Sequence, residues 1–171
     1  MTAETNYPAR LAALRFESVG AIEALFVTPE ANHHVAVSSL RVVTDVGVEG
    51  EYALKQWWLG QRVPGRQISA LSAEVLDALE IPYGVPGDNL VIRGFDLGSL
   101  EPGDELRVGD ALLVATTTPH RPCTKFAVRT SPQKKEAIAA GHFRGVLLNA
   151  RRDAEISIGD VVERVARLRA V

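Results

Sequence analysis

The chain of 171 residues holds a single cysteine, Cys123. An internal disulfide is therefore excluded, as is any structural zinc or iron–sulfur site that needs several thiolates, and a reducing compartment, the cytoplasm, is expected. Charge of one sign is lacking too. The 19 Lys and Arg residues face 21 Asp and Glu, the formal net charge is −2, and no basic run is longer than a pair. A protein that tracks nucleic-acid phosphates is not expected from such a balance. No stretch nears the ~20 apolar residues of a membrane span. The opening MTAETNYPARLAALRFESVG is broken by polar and acidic residues where a secretory leader needs an unbroken apolar region, so neither a membrane nor an exported location is expected.

What the chain does have is the composition of a packed protein, 46% apolar and 23% charged, at a length that suits one ordinary domain. No Pro-, Gly- or Ser-rich linker divides it. A single domain over 1–171 is expected, with its core at about 18–168.

Short alternating runs closed by Gly, Pro, Asp or Asn dominate the chain, the pattern of strands joined by turns. They are AIEALFV at 21–27, HVAVSSLRVV at 34–43, RQISAL at 66–71, NLVIRGF at 89–95, ELRV at 105–108, ALLVATT at 111–117 and RGVLLNA at 144–150. Seven such runs predict a mainly β fold, a barrel or a sandwich. Gly109 and Asp110 stand where a tight hairpin needs turn residues. Two helices interrupt the pattern. In SAEVLDALEIP, Ser72 is a cap, Val75, Leu76 and Leu79 share a face, and Pro82 is expected to stop the helix. In the second, Ser131 caps, Pro132 takes the first helical position, Ile138 faces inward, and Gly141 is expected to make a left-handed exit. Gln61 to Gly65 reads as an exposed loop.

EPGDELRV at 101–108 is echoed by SIGDVVERV at 157–165. Asp160 with Glu163 has the form of a helix capping box, but the echo favours a strand, and a strand that closes the barrel is the expectation.

Cys123 lies in HRPCTKF, so His120, Arg121 and Lys125 put three cationic or ionisable groups close to it in sequence. Positive neighbours favour the thiolate, the form that attacks electrophiles and binds soft metals. The plainer alternative is a small buried hydrophobe. Pro119 and Pro122 favour the functional reading, because they end the preceding strand and stiffen a loop at the sheet's end, where sites concentrate. Arg66 and Gln67 stand at a strand's entrance, and Asp88 and Asn89 follow a Pro–Gly turn. His33 and His34 are neighbours whose side chains would point apart on a strand, which argues against a two-histidine metal site. Trp57 and Trp58 read either as an apolar lid over a flat ligand or as a cover for the barrel's end. His142 is expected in solvent.

Taken in order, GVEGE at 47–51, RQISALSAEVLDAL at 66–79, PGDNLVIRGFDL at 86–97, LEPGDELRVGDALLVAT at 100–116 and HRPCTKF at 120–126 resemble the MOSC domain, named from the carboxyl-terminal domain of molybdenum cofactor sulfurases. The resemblance implies a closed β-barrel with short helices and the molybdenum cofactor (molybdopterin) as ligand. It implies Cys123 as metal ligand or sulfur carrier. Arg66, Gln67, Asp88, Asn89, His120, Arg121 and Lys125 are then the candidate cofactor-binding residues. Pyridoxal phosphate is not expected. The sequence departs from the family where Gly50–Glu51–Tyr52 replaces a Gly–Asp followed by a basic residue or His, and where Gly87–Asp88–Asn89 replaces Gly–Glu–Asn. Three functions follow in order of preference. The first is a molybdenum-dependent reductase of small N-hydroxylated or N-oxygenated compounds, fed by an external electron donor protein because no flavin fingerprint is present. The second is a sulfur-carrier module with a Cys123 persulfide and a sulfur donor protein. The third is a non-catalytic binding barrel.

Overall fold

The computed structural model describes residues 5–165. The first four residues of the opening segment and the last three of the expected 18–168 core lie outside that range. In chain order the elements are α1 (Tyr7–Ala12), β1 (Val19–Glu30), β2 (His33–Val37), β3 (Ser39–Val43), β4 (Gly47–Val48), β5 (Trp57–Trp58), β6 (Gln61–Arg62), β7 (Ile68–Ser72), α2 (Ala73–Ala78), β8 (Leu90–Arg93), a 3-10 turn at Leu97–Ser99, β9 (Glu105–Val108), β10 (Ala111–Ala115), α3 (Thr124–Arg129), α4 (Pro132–Ala140), β11 (Val146–Ala150), β12 (Ala154–Ser157) and β13 (Val161–Arg164).

Seven strands close a barrel in the order β13-β9-β10-β11-β7-β8-β1, and β1 pairs back onto β13. All seven contacts are antiparallel except β7 with β8. A parallel neighbour needs a crossover, and α2 lies on that connection. The long β1 serves three partners in turn: β13 through Val19–Ala21, β8 through Ala21–Leu25 and β2 from Leu25 on, with irregularities at Ile22/Ala24 and Val27/Glu30. Such bulges bend a strand, which lets β1 follow the wall and then leave it. A small sheet, β12-β3-β4, and the β5-β6 hairpin stand beside the barrel.

Alternation decides which side chains fill the interior. On β7 and β8, Ile68, Ala70, Leu90 and Ile92 point into the barrel, whereas Leu71 and Val91 between them join Phe26, Val75, Leu76, Leu79, Phe126 and Ile138 in a second core under the helices. β8 is thus covered on both faces, which explains its unbroken Leu90–Val91–Ile92 run.

The echoed Gly–Asp turns are one motif used twice. Gly103 and Gly159 both have φ +89°. Asp104 accepts from the Glu101 amide at 2.9 Å and Asp160 from the Ser157 amide at 2.8 Å. Each turn launches a strand, and the two strands, β9 and β13, pair with each other. The final segment is therefore a strand, as the echo predicts.

Several local expectations change. The helix begun by Ser72, whose Oγ accepts from the Val75 amide, ends at Ala78 and not at Pro82, because Glu80 turns left-handed at φ +53°. Gly141 keeps φ −85°, and His142 makes the left-handed exit at +57°. Gln61 and Arg62 belong to a hairpin, not a loop, and the HVAVSSLRVV run is two strands broken at Ser38. Two six-residue helices, α1 and α3, were not anticipated. Among the described residues, no helix is long and apolar enough to cross a membrane.

Candidate functional site

One cleft gathers Arg66, Gln67, Asp88, Asn89, His120, Arg121, Cys123 and Lys125. It is open to solvent, with about 810 Å³ of empty space counted out beyond its mouth. β7 brings Arg66 and Gln67 at its entrance, the turn before β8 brings Asp88 and Asn89, and the segment after β10 brings the rest. That segment is loop only as far as Cys123, which is the N-cap of α3. Lys125 lies on the helix, and Phe126 anchors it in the second core at 2% exposure. Cys123 is half-buried, packed on one side against the second core while its side chain contributes to the cleft wall.

Asp88 and Asn89 serve the floor. Asp88 is buried and held by Arg144, whose Nη1 donates to both carboxylate oxygens at 3.0 and 2.8 Å. Burial would raise its carboxyl, but the charge and hydrogen bonds of the Arg144 guanidinium outweigh that and keep its pKa below the ordinary carboxylate value. Asn89 is committed to the protein. Its Nδ2 donates to the Phe26 carbonyl at 3.2 Å and to Glu51 Oε1 at 2.6 Å, and its Oδ1 accepts from the Ser69 amide at 3.1 Å. Gln67 Oε1 accepts from the Ala150 amide at 3.2 Å. His120 is held neutral, with its pKa pushed down to about 3 by burial and by Arg144.

Among the further lining residues, four are basic side chains outside the expected set: His34, Lys55, Arg129 and Arg144. Lys55 answers the Gly50–Glu51–Tyr52 departure. No basic residue follows Glu51 directly, yet Lys55, four positions on, sits 2.5 Å from Glu51 Oε2 and carries a cation into the cleft wall. Arg144 also packs over the Phe126 ring at 5.4 Å, tying the floor to α3. The two neighbouring histidines do point apart on β2: His33 is exposed, and His34 enters the wall. Trp57 and Trp58 stay on the outer hairpin, about half exposed, and neither lines this cleft. Trp57 borders an adjoining cavity with Tyr52, Lys55 and Arg62. His142 is exposed.

The cleft is electropositive although the chain is not. Of its six cations, Arg144 is answered by Asp88 and Lys55 by Glu51; Arg66, Arg121, Lys125 and Arg129 have no carboxylate partner among the described residues. Several buried polar atoms of its walls, His34 Nε2, His120 Nδ1 and Arg144 Nε, have no hydrogen-bond partner among the described residues. Such groups are costly unless a ligand satisfies them. Among the described residues no three His, Cys, Asp or Glu cluster as a metal cage.

A family model described as "MOSC domain" matches residues 61–163. The fold is similar to that of the YuaD protein from Bacillus subtilis, with a TM-score of 0.67 at 19% identity over 85% of this chain and 95% of that one. It is also similar to YiiM from Escherichia coli, with 0.63 at 20% identity over 88% and 72%, and to YiiM from Geobacillus stearothermophilus, with 0.61 at 18% identity over 90% and 75%. At such identities the likeness speaks for the fold alone. Comparison with curated proteins finds no match.

Proposed function

The chain belongs to the MOSC domain family, and on that footing we propose that it binds the molybdenum cofactor in the electropositive cleft and reduces small N-hydroxylated or N-oxygenated compounds there. The observation that carries the reading is the coincidence of one half-buried thiol with four cations that no carboxylate answers. A pterin dithiolene with a terminal phosphate is anionic, planar and rich in acceptors, and it brings its metal with it.

The residues present fit that group. Cys123 would give molybdenum a thiolate ligand, soft enough for a dithiolene-bound metal. Arg66, Arg121 and Lys125 would hold the phosphate and pterin edge, the arginines through bidentate hydrogen bonds and the lysine as a point charge. Gln67 has its amide nitrogen available beside them. Asp88, Asn89 and His120 act one step back. Asp88 fixes Arg144, Asn89 fixes the Glu51 loop, and His120 packs neutral beside that ion pair. When bound, the cofactor would supply a redox centre able to take oxygen from a substrate. The electrons would come from a separate reductase protein.

The test is to purify the protein anaerobically from molybdenum-replete cells, with and without Cys123→Ser, and to assay metal, pterin and reduction of a hydroxylamine by a reduced viologen. Molybdenum in the wild type and its loss from the variant is the expected result. Equal metal in both would remove Cys123 as ligand, and a Cys123 persulfide without metal would favour the sulfur-carrier reading instead.

A further inference from the structure

A buried chain of polar groups runs from the cavity beside the hairpin to the cleft. Lys55 and Glu51 form its outer end, since both also line that second cavity, which holds about 770 Å³ out to its mouth together with Tyr52, Gln56, Trp57 and Arg62. Glu51 is fixed by the Thr28 amide at 3.0 Å and by Asn89 at 2.6 Å, and Lys55 Nζ lies 2.5 Å from its other oxygen. Lys55 Nζ donates to Thr28 Oγ1 at 3.1 Å, and Thr28 Oγ1 is 2.9 Å from His34 Nδ1. Thr28 itself is 2% exposed.

The directions of these bonds are set by what each group can give. An ammonium only donates, so Thr28 Oγ1 accepts from Lys55 and its hydroxyl hydrogen is left for His34 Nδ1. A neutral imidazole that accepts at Nδ1 carries its hydrogen at Nε2. That Nε2 is buried without a partner among the described residues, on a ring in the cleft wall. Gly87 makes room for the ring: a Cβ there would lie 2.6 Å from His34 Cε1.

We propose that Glu51, Lys55, Thr28 and His34 form a proton relay from the second cavity into the cleft, with His34 Nε2 as the terminal donor. The inference rests on the reductase reading of the cleft. Reduction of an N-hydroxylated substrate, R–NHOH + 2 e⁻ + 2 H⁺ → R–NH₂ + H₂O, breaks the N–O bond and forms one N–H and one O–H bond. A separate reductase protein supplies both electrons. His34 gives its Nε2 proton to the departing oxygen, Thr28 passes its hydroxyl proton to Nδ1, and Lys55 replaces the proton on Thr28. A proton from water of the second cavity, taken up by the Glu51 carboxylate and passed on, recharges Lys55. The proton on nitrogen comes from solvent at the open mouth, and exchange restores the starting tautomer between turnovers.

The electrostatics favour this traffic. Burial, with Arg129 and Lys55, pushes His34 down to about 4, while Asp88 opposes and His33 adds to the push, so the ring stays neutral. Burial brings Lys55 down to about 8 against the pull of Glu51 and Asp88, with Arg66 and Arg129 also lowering it. It can therefore both hold and release a proton near neutrality.

Two measurements on the full chain test the relay. In protein with isotope-labelled histidine, long-range proton–nitrogen spectra near neutral pH should show His34 with its hydrogen on Nε2. Thr28→Val should abolish the acceptor shift at Nδ1, and Thr28→Ser should keep it. In cofactor-loaded protein with reduced viologen and N-phenylhydroxylamine, Thr28→Val and His34→Gln should lower kcat about 100- to 10,000-fold, the range of a lost general acid, at unchanged molybdenum content. Thr28→Ser should recover most of the rate, and Lys55→Met should remove the alkaline limb of the kcat profile. A hydrogen on Nδ1, or a Thr28→Val protein with wild-type kcat and pH profile, would overturn the relay. A loaded wild type that reduces nothing would overturn the reductase reading itself, and the delivery step with it.

Discussion

Arg144 Nη1 lies 3.0 and 2.8 Å from the two carboxylate oxygens of Asp88, and both side chains are under one-tenth exposed. The pair joins the turn before β8 to the entrance of β11 beneath the cleft. Its geometry is two-point, but the Nε of Arg144 is left without a partner. Removing one member leaves the other as an uncompensated buried charge, whereas removing both removes the problem. Arg144→Leu should therefore cost about 3–5 kcal/mol and Asp88→Leu a similar amount. The double variant should cost much less than the sum of the two. Urea unfolding of the four proteins gives the cycle, and additive losses would mean that the pair does not interact.

Acid should act on the cleft in two stages. The neutral His120 has its pKa lowered to about 3 by burial and by Arg144, against an ordinary 6.5. The unfolded chain therefore binds a proton that the folded chain refuses. The resulting stability is fully present above about pH 6.5 and declines as pH falls toward 3, with a slope of about 1.4 kcal/mol per pH unit for one proton. Asp88, whose pKa lies below its ordinary 3.8, adds a loss only below that value. In cofactor-free protein, His120→Gln should flatten the slope between pH 6 and 4 by roughly one proton's worth. An unchanged slope in that variant would show that His120 is not the group refusing the proton.

The barrel was legible because its strands alternate and because its last strand repeats an earlier one. Ala111, Leu113 and Ala115 are buried while Leu112 and Val114 between them are not, which is the period-two signature the run shows on paper. The eight candidate site residues also converge: Arg66, Gln67, Asp88 and Asn89 lie at the entrances of β7 and β8, and His120, Arg121, Cys123 and Lys125 lie between β10 and the first turn of α3. What was not legible depends on tertiary placement. Arg144 heads the RGVLLNA run and looked like a strand's polar start; only the fold puts Asp88 and Phe126 against it. Thr28 and His34 stand six residues apart across a reversal, and Lys55 reaches them from a segment without strong periodicity. The helix α3 was missed because six residues after two prolines give no usable period. The one available signal for His34 was that neighbours on a strand face opposite ways, so that His33 and His34 cannot both stay in solvent; His33 is exposed and His34 is half-buried.

Cofactor retention should depend on salt, because Arg121 and Lys125, two of the cleft's cations without a carboxylate partner among the described residues, are exposed. Exposed charges lose most of their attraction once the screening length falls to about 3 Å near 1 M ionic strength. Protein dialysed at high salt should therefore release pterin faster than protein at low salt, and the Arg121→Ala, Lys125→Ala double variant should lose most of that dependence. Cys123→Ser, by contrast, should lose metal at every salt concentration. Equal salt dependence in wild type and the rim variant would place the phosphate elsewhere, nearer Arg66 or Arg129.

The two Gly–Asp turns offer a test of barrel closure that is independent of the cleft. Gly103 and Gly159 share φ +89°, and a Cβ built on either meets no atom within 4 Å. Substitution by alanine is thus opposed by backbone conformation alone, which for a left-handed residue costs about 1–2 kcal/mol. Gly103→Ala and Gly159→Ala should destabilise equally, within about 0.5 kcal/mol. Gly109, between β9 and β10, is the contrast: its φ is +54°, but a Cβ there would press on the carboxylate of Asp160. Gly109→Ala must therefore disturb the very Asp160 that caps the second turn, and it should cost more than either of the other two. Thermal unfolding of the three variants decides the matter. A Gly159 variant much worse than its Gly103 counterpart would mean that the closing turn is held by more than the motif it shares with the first.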